Sequence, residues 1–338
     1  RSRLFLHGTA MNVRLLRLAF LFALLFPVTA AAIDLPRQQR REANKAEPTR
    51  KDDKKDETPR PETEVIKNIA YRDDKFADPD RHKLDLYLPR GKKDFPVVMF
   101  VHGGSWKSGN KDEYVKLGEL FATEGIGCVI PNYRLSPKVQ HPAHIEDVAS
   151  AFAWTVGNIE KYGGRKDRIF ACGHSAGGHL VSLLGTDDKY LSKEGLALKD
   201  VRGVIAISGV HEINSLLPMF RNTFGKDKEE CRDASPISHV KAGDPPFLLL
   251  YADRDLPFLG KMAEDMNEVL KKNKCDAECM KVAHRTHMTI IVMLAQEADS
   301  TRDAIFDFIA KHSEWKAPTR PDANDTARRL PLRKKDDK

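Results

Sequence analysis

The chain has 338 residues, 41% of them hydrophobic, with five cysteines and a net charge of +7. That is enough apolar side chain for one domain of about 250 residues around a single large core. The charge would suit a polyanion partner, but it lies at the ends: 13 Lys/Arg face 8 Asp/Glu in residues 1–62, 35 face 37 in 63–315, and 8 face 4 in 316–338. A near-neutral middle lacks the positive footprint of a phosphate-backbone binder, so no nucleic-acid partner is expected.

Residues 1–32 read as an export signal with Met11 as its expected start. Arg14 and Arg17 precede an apolar run from Leu18 to Phe26, then Pro27 and the small residues Thr29-Ala30-Ala31-Ala32. The run is far shorter than the roughly 20 residues that cross a bilayer, so no stable membrane insertion is expected, and the mature protein should be periplasmic or extracellular. Residues 33–62 and 316–338 carry dense charge and few large apolar side chains, and are expected to be a disordered linker and a disordered basic tail flanking one folded domain at 63–315.

Within 63–315, apolar runs alternate with helix-period segments. Val65–Tyr71 and Leu84–Leu88 suggest an antiparallel opening pair, followed by strands at Phe95–His102, Cys128–Asn132, Arg168–Gly173, Val201–Ser208, Phe247–Ala252 and, more weakly, Cys279–Ala283. The clearest helix is 144–161, where Ile145, Val148, Phe152, Val156 and Ile159 recur three or four apart before Gly163-Gly164. This alternation predicts an α/β fold, a mostly parallel sheet of about eight strands with helices on both faces. The odd, scattered cysteines argue against a disulfide scaffold; Cys128 and Cys172 read as buried thiols, and Cys275-x3-Cys279 lacks the partner pair a zinc site needs, so neither metal nor cofactor is expected.

The strand ending at Cys172 runs into Gly173-His174-Ser175-Ala176-Gly177-Gly178-His179 and then a helix-like run, a G-x-S-x-G turn between strand and helix. Such a turn lifts a serine hydroxyl clear of its neighbours and places it at a helix N-terminus, where developing negative charge is favoured. His174, beside the nucleophile on a strained turn, reads as a packing residue rather than the base, and His179 likewise. Upstream, another strand ends in His102-Gly103-Gly104-Ser105-Trp106. Attack on an acyl carbon creates an oxyanion, and this loop could supply the Gly104 and Ser105 amides, with Ala176 N–H from behind the nucleophile. His102 and Gly103 would support the loop. Chain order then requires a carboxylate after the next long strand, Asp253 or Asp255, and a histidine after the last, His284 or His287.

These motifs, with Pro131-Asn132-Tyr133-Arg134-Leu135 and His141-Pro142-Ala143 leading to Glu146-Asp147-Val148, resemble the carboxylesterase and hormone-sensitive-lipase-like branch of the α/β hydrolases over roughly residues 65–312. The closest likeness is to bacterial feruloyl- and acetylxylan-esterase-like enzymes, extending to kynurenine-formamidase-like ones. The resemblance implies an α/β-hydrolase fold with a small cap or pocket insertion, Asp255 as the acid with Asp253 holding its turn, and His287 as the base. Ser105 departs from the third glycine of many lipase-like members. In the 211–245 insertion, Phe220 and Phe224, with Leu216, Leu217 and Met219, could line a pocket, and Trp106 could form a wall beside the oxyanion loop. The expected substrate is a small-molecule or polysaccharide-linked ester. Amide cleavage by the same triad, as an arylformamidase or peptidase, and a hydrolase-like binding module without activity are the competing readings; oligomeric state is not legible.

Overall fold

The run Phe95-Pro96-Val97-Val98-Met99-Phe100-Val101 contains no polar side chain, so as a strand it must be covered on both faces. In a computed structural model of the protein, which describes residues 62–296 and 299–317, Val97, Met99 and Val101 enter one core while Val98 and Phe100 enter a second core on the opposite face. The expected export signal lies outside the described residues, as do the linker and tail apart from Glu62, Lys316 and Ala317.

In chain order the strands and helices are β1 (Thr63–Ala70), β2 (Lys83–Pro89), β3 (Phe95–Val101), α1 (Val115–Thr123), β4 (Gly127–Pro131), α2 (Ala143–Asn158), β5 (Gly164–His174), α3 (Ala176–Thr186) and α4 (Asp188–Lys193). There follow β6 (Gly203–Ile207), α5 (Pro218–Phe224), α6 (Lys228–Asp233), β7 (Phe247–Arg254), α7 (Leu259–Lys272), β8 (Ala277–Thr286), α8 (Thr289–Val292) and α9 (Ser300–Ser313). The strands form one sheet in the order β1-β2-β4-β3-β5-β6-β7-β8. β2 pairs antiparallel with β1 and β4, and the strands from β4 through β8 are parallel. Helices α2, α3 and α7 contribute to the first core, and α1 and α9 to the second. Among the described residues, no helix is long and apolar enough to cross a membrane.

Each predicted strand is present, and two of the boundaries that differ have a clear physical reason. β8 extends from Ala277 to Thr286, well beyond Cys279–Ala283, because this edge strand pairs only with β7 and carries exposed polar residues that interrupt the apolar signal. The helix expected at 144–161 is α-helical to Asn158 and closes in a 3₁₀ turn from Ile159 to Tyr162. Cys128 and Cys172 are buried thiols in the second core.

The core also encloses polar rings. Burial favours neutral imidazole and pushes His102, His144, His174 and His211 down to about 4 and His179 to about 3. The unfolded chain protonates these rings near pH 6.5, so between the two ranges it binds more protons than the folded chain. Their contribution to stability is therefore complete above about pH 6.5 and is lost as the pH falls toward 4. Urea unfolding should show the unfolding free energy dropping steeply between pH 7 and 5, by on the order of 1 kcal/mol for each ring that stays neutral. A flat profile over that interval would mean that these rings take up protons without unfolding.

Candidate active site

In an open parallel sheet, binding groups gather where the strands end at their carboxyl edge. Ser175 follows β5, Ser208 closely follows β6, Asp255 follows β7 and His287 follows β8, so four strands adjacent in the sheet present four polar side chains along one rim.

Ser175 joins β5 directly to α3 with φ 55° and ψ −117°, a backbone conformation that costs of order 1–3 kcal/mol and persists only where neighbours enforce it. Its N–H donates to the Ile207 carbonyl and its own carbonyl accepts from His179 N–H. Two glycines let neighbouring chain pack against this turn. A Cβ at Gly177 would lie 2.0 Å from the Val101 carbonyl oxygen, and one at Gly103 would lie 3.3 Å from Ser175 Cβ. The glycine loop after β3 thus passes so close to the serine that a side chain at Gly103 would be crowded against it.

The structure brings together the three residues assigned from sequence. His287 Nε2 lies 3.0 Å from Ser175 Oγ, and His287 Nδ1 lies 2.7 Å from Asp255 Oδ1. An ionised carboxylate only accepts, so Nδ1 carries the ring proton and the free Nε2 lone pair faces the serine hydroxyl. Burial alone would raise the Asp255 pKa, but donation from His287, from Ser208 Oγ at 2.5 Å and from the Ala252 and Leu256 N–H groups outweighs it and holds the carboxyl below its ordinary value. The alternative residues do different work. Asp253 accepts the N–H groups of His284 and Arg285, both at 2.9 Å, tying β8 to β7, while His284 remains an exposed residue within β8.

The loop His102–Trp106 is held from several sides. His102 Nδ1–H donates to the Gly103 carbonyl at 2.8 Å, and its ring stacks on Tyr133 at 4.4 Å. Tyr133 Oη donates to the His102 carbonyl, while Arg81 donates to the carbonyls of Tyr133 and Gly109. Arg134 in turn grips buried Asp147 through its backbone N–H, Nε and a terminal nitrogen. Gly104, Ser105 and Trp106 all have positive φ, so Ser105 occupies without strain relief a conformation that a third glycine would adopt freely. Ala176 supplies the first N–H of α3, which has no partner within the helix. Sequence reasoning missed Ser208 and Arg81 and gave Tyr133 no role beyond its motif; the position of Ser208 just past the strand between those of the proposed nucleophile and acid was the available signal.

Of the residues expected to line a pocket, Trp106, Phe220 and Phe224 are all buried, and Phe224 also borders a cavity. Trp106 is 2% exposed, donates Nε1–H to His179 Nδ1, and meets Phe224 and Phe220 edge-on at 4.8 and 5.9 Å. α5 turns its i, i+4 aromatic pair inward to bury it, leaving Met219, and Leu216 just ahead of the helix, 52% and 73% exposed. A cavity of about 470 Å³ lined by residues including His141, Lys189, Tyr190, Phe224 and Asp233 contains none of Ser175, Asp255 and His287. Asp187, Asp233 and His239 cluster closely enough to suggest a cation site, but the Lys189 ammonium already bridges the two carboxylates at 2.8 and 2.6 Å.

Sheet order, the strained serine between strand and helix, and the Ser-His-Asp constellation at the carboxyl edge define an α/β hydrolase. The chain belongs to the BD-FAE family, whose sequence profile matches residues 84–270. It is 32% identical to Esterase LipC of Mycobacterium tuberculosis, over 58% of this chain and 54% of that protein. It is 24% identical to the kynurenine formamidase of Danio rerio, over 70% of this chain and 78% of that protein. Among solved structures, a truncated carbohydrate esterase from gut microbiota superimposes with a TM-score of 0.64 at 20% identity, covering 76% of this chain and 98% of the other, a likeness of fold. The chain spans about half the length of the first curated relatives it matches.

The steric argument at the elbow is open to a paired test. Gly177→Ala must push the Val101 carbonyl aside and should cost at least about 3 kcal/mol in urea unfolding. Gly157→Ala in α2, where a Cβ meets nothing within 4 Å, should instead gain up to about 1 kcal/mol of helix propensity. A loss below 1 kcal/mol at Gly177 would show that α3 does not press on β3 as described.

Proposed function

We propose that the protein is a serine esterase that cleaves carboxylic esters through an acyl-enzyme intermediate, with Ser175 as nucleophile, His287 as general base and acid, and Asp255 as the group that orients and stabilises the imidazole. The observation that carries this reading is the continuous hydrogen-bonded line from Asp255 Oδ1 through His287 to Ser175 Oγ. As Ser175 Oγ attacks the acyl carbon, its proton passes to His287 Nε2 and the carbonyl electron pair moves onto oxygen. The Gly104, Ser105 and Ala176 amides are the donors assigned to that oxyanion. Collapse of the tetrahedral intermediate breaks the bond to the alcohol oxygen, which leaves with the proton from Nε2. Water then repeats the sequence on the acyl-enzyme and releases the acid.

Similarity to Esterase LipC supports the ester as the bond cleaved, and the export signal read at residues 1–32 supports a substrate met outside the cytoplasm. Acyl groups on carbohydrate are the class we infer, by analogy with the fold of the gut-microbiota carbohydrate esterase. Similarity across 78% of a kynurenine formamidase favours amide cleavage as the second reading.

A fluorophosphonate should modify Ser175, located by mass spectrometry, and equal labelling of Ser175→Ala would remove the nucleophile assignment. A panel of p-nitrophenyl esters, acetylated and feruloylated sugars and N-formylkynurenine should show turnover of esters above the formamide; the reverse order would favour the second reading.

For the base, His287→Ala should lower kcat by about 10³-fold or more, leaving the residual catalysis of the oxyanion donors and binding. His284→Ala should change kcat by less than about tenfold, because His284 lies exposed within β8. The opposite ranking, in folded proteins, would move the base to His284.

A further inference from the structure

The nucleophile and the base belong to strands that do not touch. β6 and β7 lie between β5 and β8, so the 3.0 Å approach of Ser175 Oγ to His287 Nε2 depends on how the loop after β8 is held over the rim. Several bonds fix that loop to its own side. Asp253 takes the N–H groups of His284 and Arg285, Thr286 N–H donates to Thr289 Oγ1, and Asp255 takes the His287 ring proton. None of these reaches β5.

One bond besides the Ser175 contact does so among the described residues. His174, the last residue of β5, places Nε2 2.8 Å from the main-chain carbonyl oxygen of His287. A carbonyl can only accept, so Nε2 carries the proton and donates. The His174 ring is 2% exposed, packs beside the His287 ring at a centroid distance of 4.7 Å, and is bounded behind by Gly103, where a Cβ would stand 3.2 Å from His174 Nδ1. This is a rigid donor, locked between the oxyanion loop and the base.

We propose that His174 is a positioning residue for the hydrolytic reaction: by donating to the His287 carbonyl it fastens the base loop to the strand that carries the nucleophile and sets the distance across which the proton moves. The proposal rests on Ser175 and His287 acting as nucleophile and base. The chemistry accounts for a histidine here. A lysine or arginine donor would place a permanent positive charge beside the base ring and oppose the imidazolium that forms during catalysis. An imidazole ring kept neutral by burial supplies the N–H without that charge. A serine or threonine would be too short to span from β5 to the base loop.

Packing and positioning make opposite demands on substitutions at 174. Met and Gln have nearly the same length and volume, but Gln offers an N–H at about the reach of Nε2 and Met does not; Phe keeps the ring and loses the donor. Initial rates on a p-nitrophenyl ester, with thermal melting as the folding control, should show kcat reduced about 10–100-fold in His174→Met and His174→Phe, the size of effect a displaced catalytic group produces, with KM within about threefold. His174→Gln should recover kcat to within about fivefold of the parent. Fluorophosphonate labelling rates should follow kcat. Two variants without the donor keep the comparison available when one of them melts early. Full kcat in His174→Met or His174→Phe, or a His174→Gln protein no better than His174→Met at equal folding, would overturn the positioning role. His287→Ala measured alongside separates the two levels: if it retains activity, the base assignment fails and this inference with it, whereas loss of activity there with no effect at 174 defeats this inference alone.

Discussion

The first turn of α3 lies so near the end of β3 that a methyl group at Gly177 would overlap the Val101 carbonyl, and this approach sets the positions of two groups that the proposed chemistry needs. Because the helix cannot withdraw, Ser175 is held in a conformation it would otherwise abandon, with its hydroxyl at the helix N-terminus. Because β3 cannot withdraw either, the glycine loop that continues it passes so close to the serine that a side chain at Gly103 would be crowded against it. The proposed nucleophile and oxyanion donors are thus registered by the same close approach of backbones, which tolerates less error than side-chain packing would.

A second constraint runs through buried charge. Asp147, at the start of α2, is wholly buried with His82 at 3.0 Å and with Arg134 wrapped around it. Arg134 adjoins Tyr133, whose ring stacks on His102 and whose hydroxyl holds the His102 carbonyl. Nearby, Asp85 and Lys111 form a further buried pair, and the Lys111 N–H donates to Asn132 Oδ1. Such pairs lose much of their Coulomb attraction to desolvation and are poor evidence of stability. Their effect here is geometric, because each leaves one arrangement of α2, β4 and the loop after β3 in which no charge is stranded.

Much of this was legible in the sequence, and the reason is periodicity. Central strands such as β3 are uninterrupted apolar runs, and α2 repeats its apolar residues every three or four positions. The serine turn is legible because its glycines stand where nothing larger fits. The base and acid were narrowed by chain order to two candidates each, and what separates them is three-dimensional: His284 lies within a strand, and Asp253 spends both carboxylate oxygens on backbone N–H groups. A stripe of Phe residues looks the same in sequence whether it lines a cavity or fills one, and here Trp106 and Phe220 pack into the core while Phe224 also borders a cavity. Ser208 and His174 carried no periodic signal, since their partners are 47 and 113 residues away.

The sheet order also fixes where the assembly is weakest. β8 is an edge strand, bonded to β7 alone and buried only at Ala277 and Val282, whereas β5 lies between β3 and β6 with its last six residues buried. Edge elements with few buried side chains open locally at lower free energy than the global transition. The proposed base is therefore carried by one of the two margins of the sheet, which are prone to partial opening, and the proposed nucleophile by its interior. On the proposed mechanism, inactivation begins as peeling of one margin, reversible while the two cores stay closed, and the operating limit of the enzyme lies below the melting of its fold.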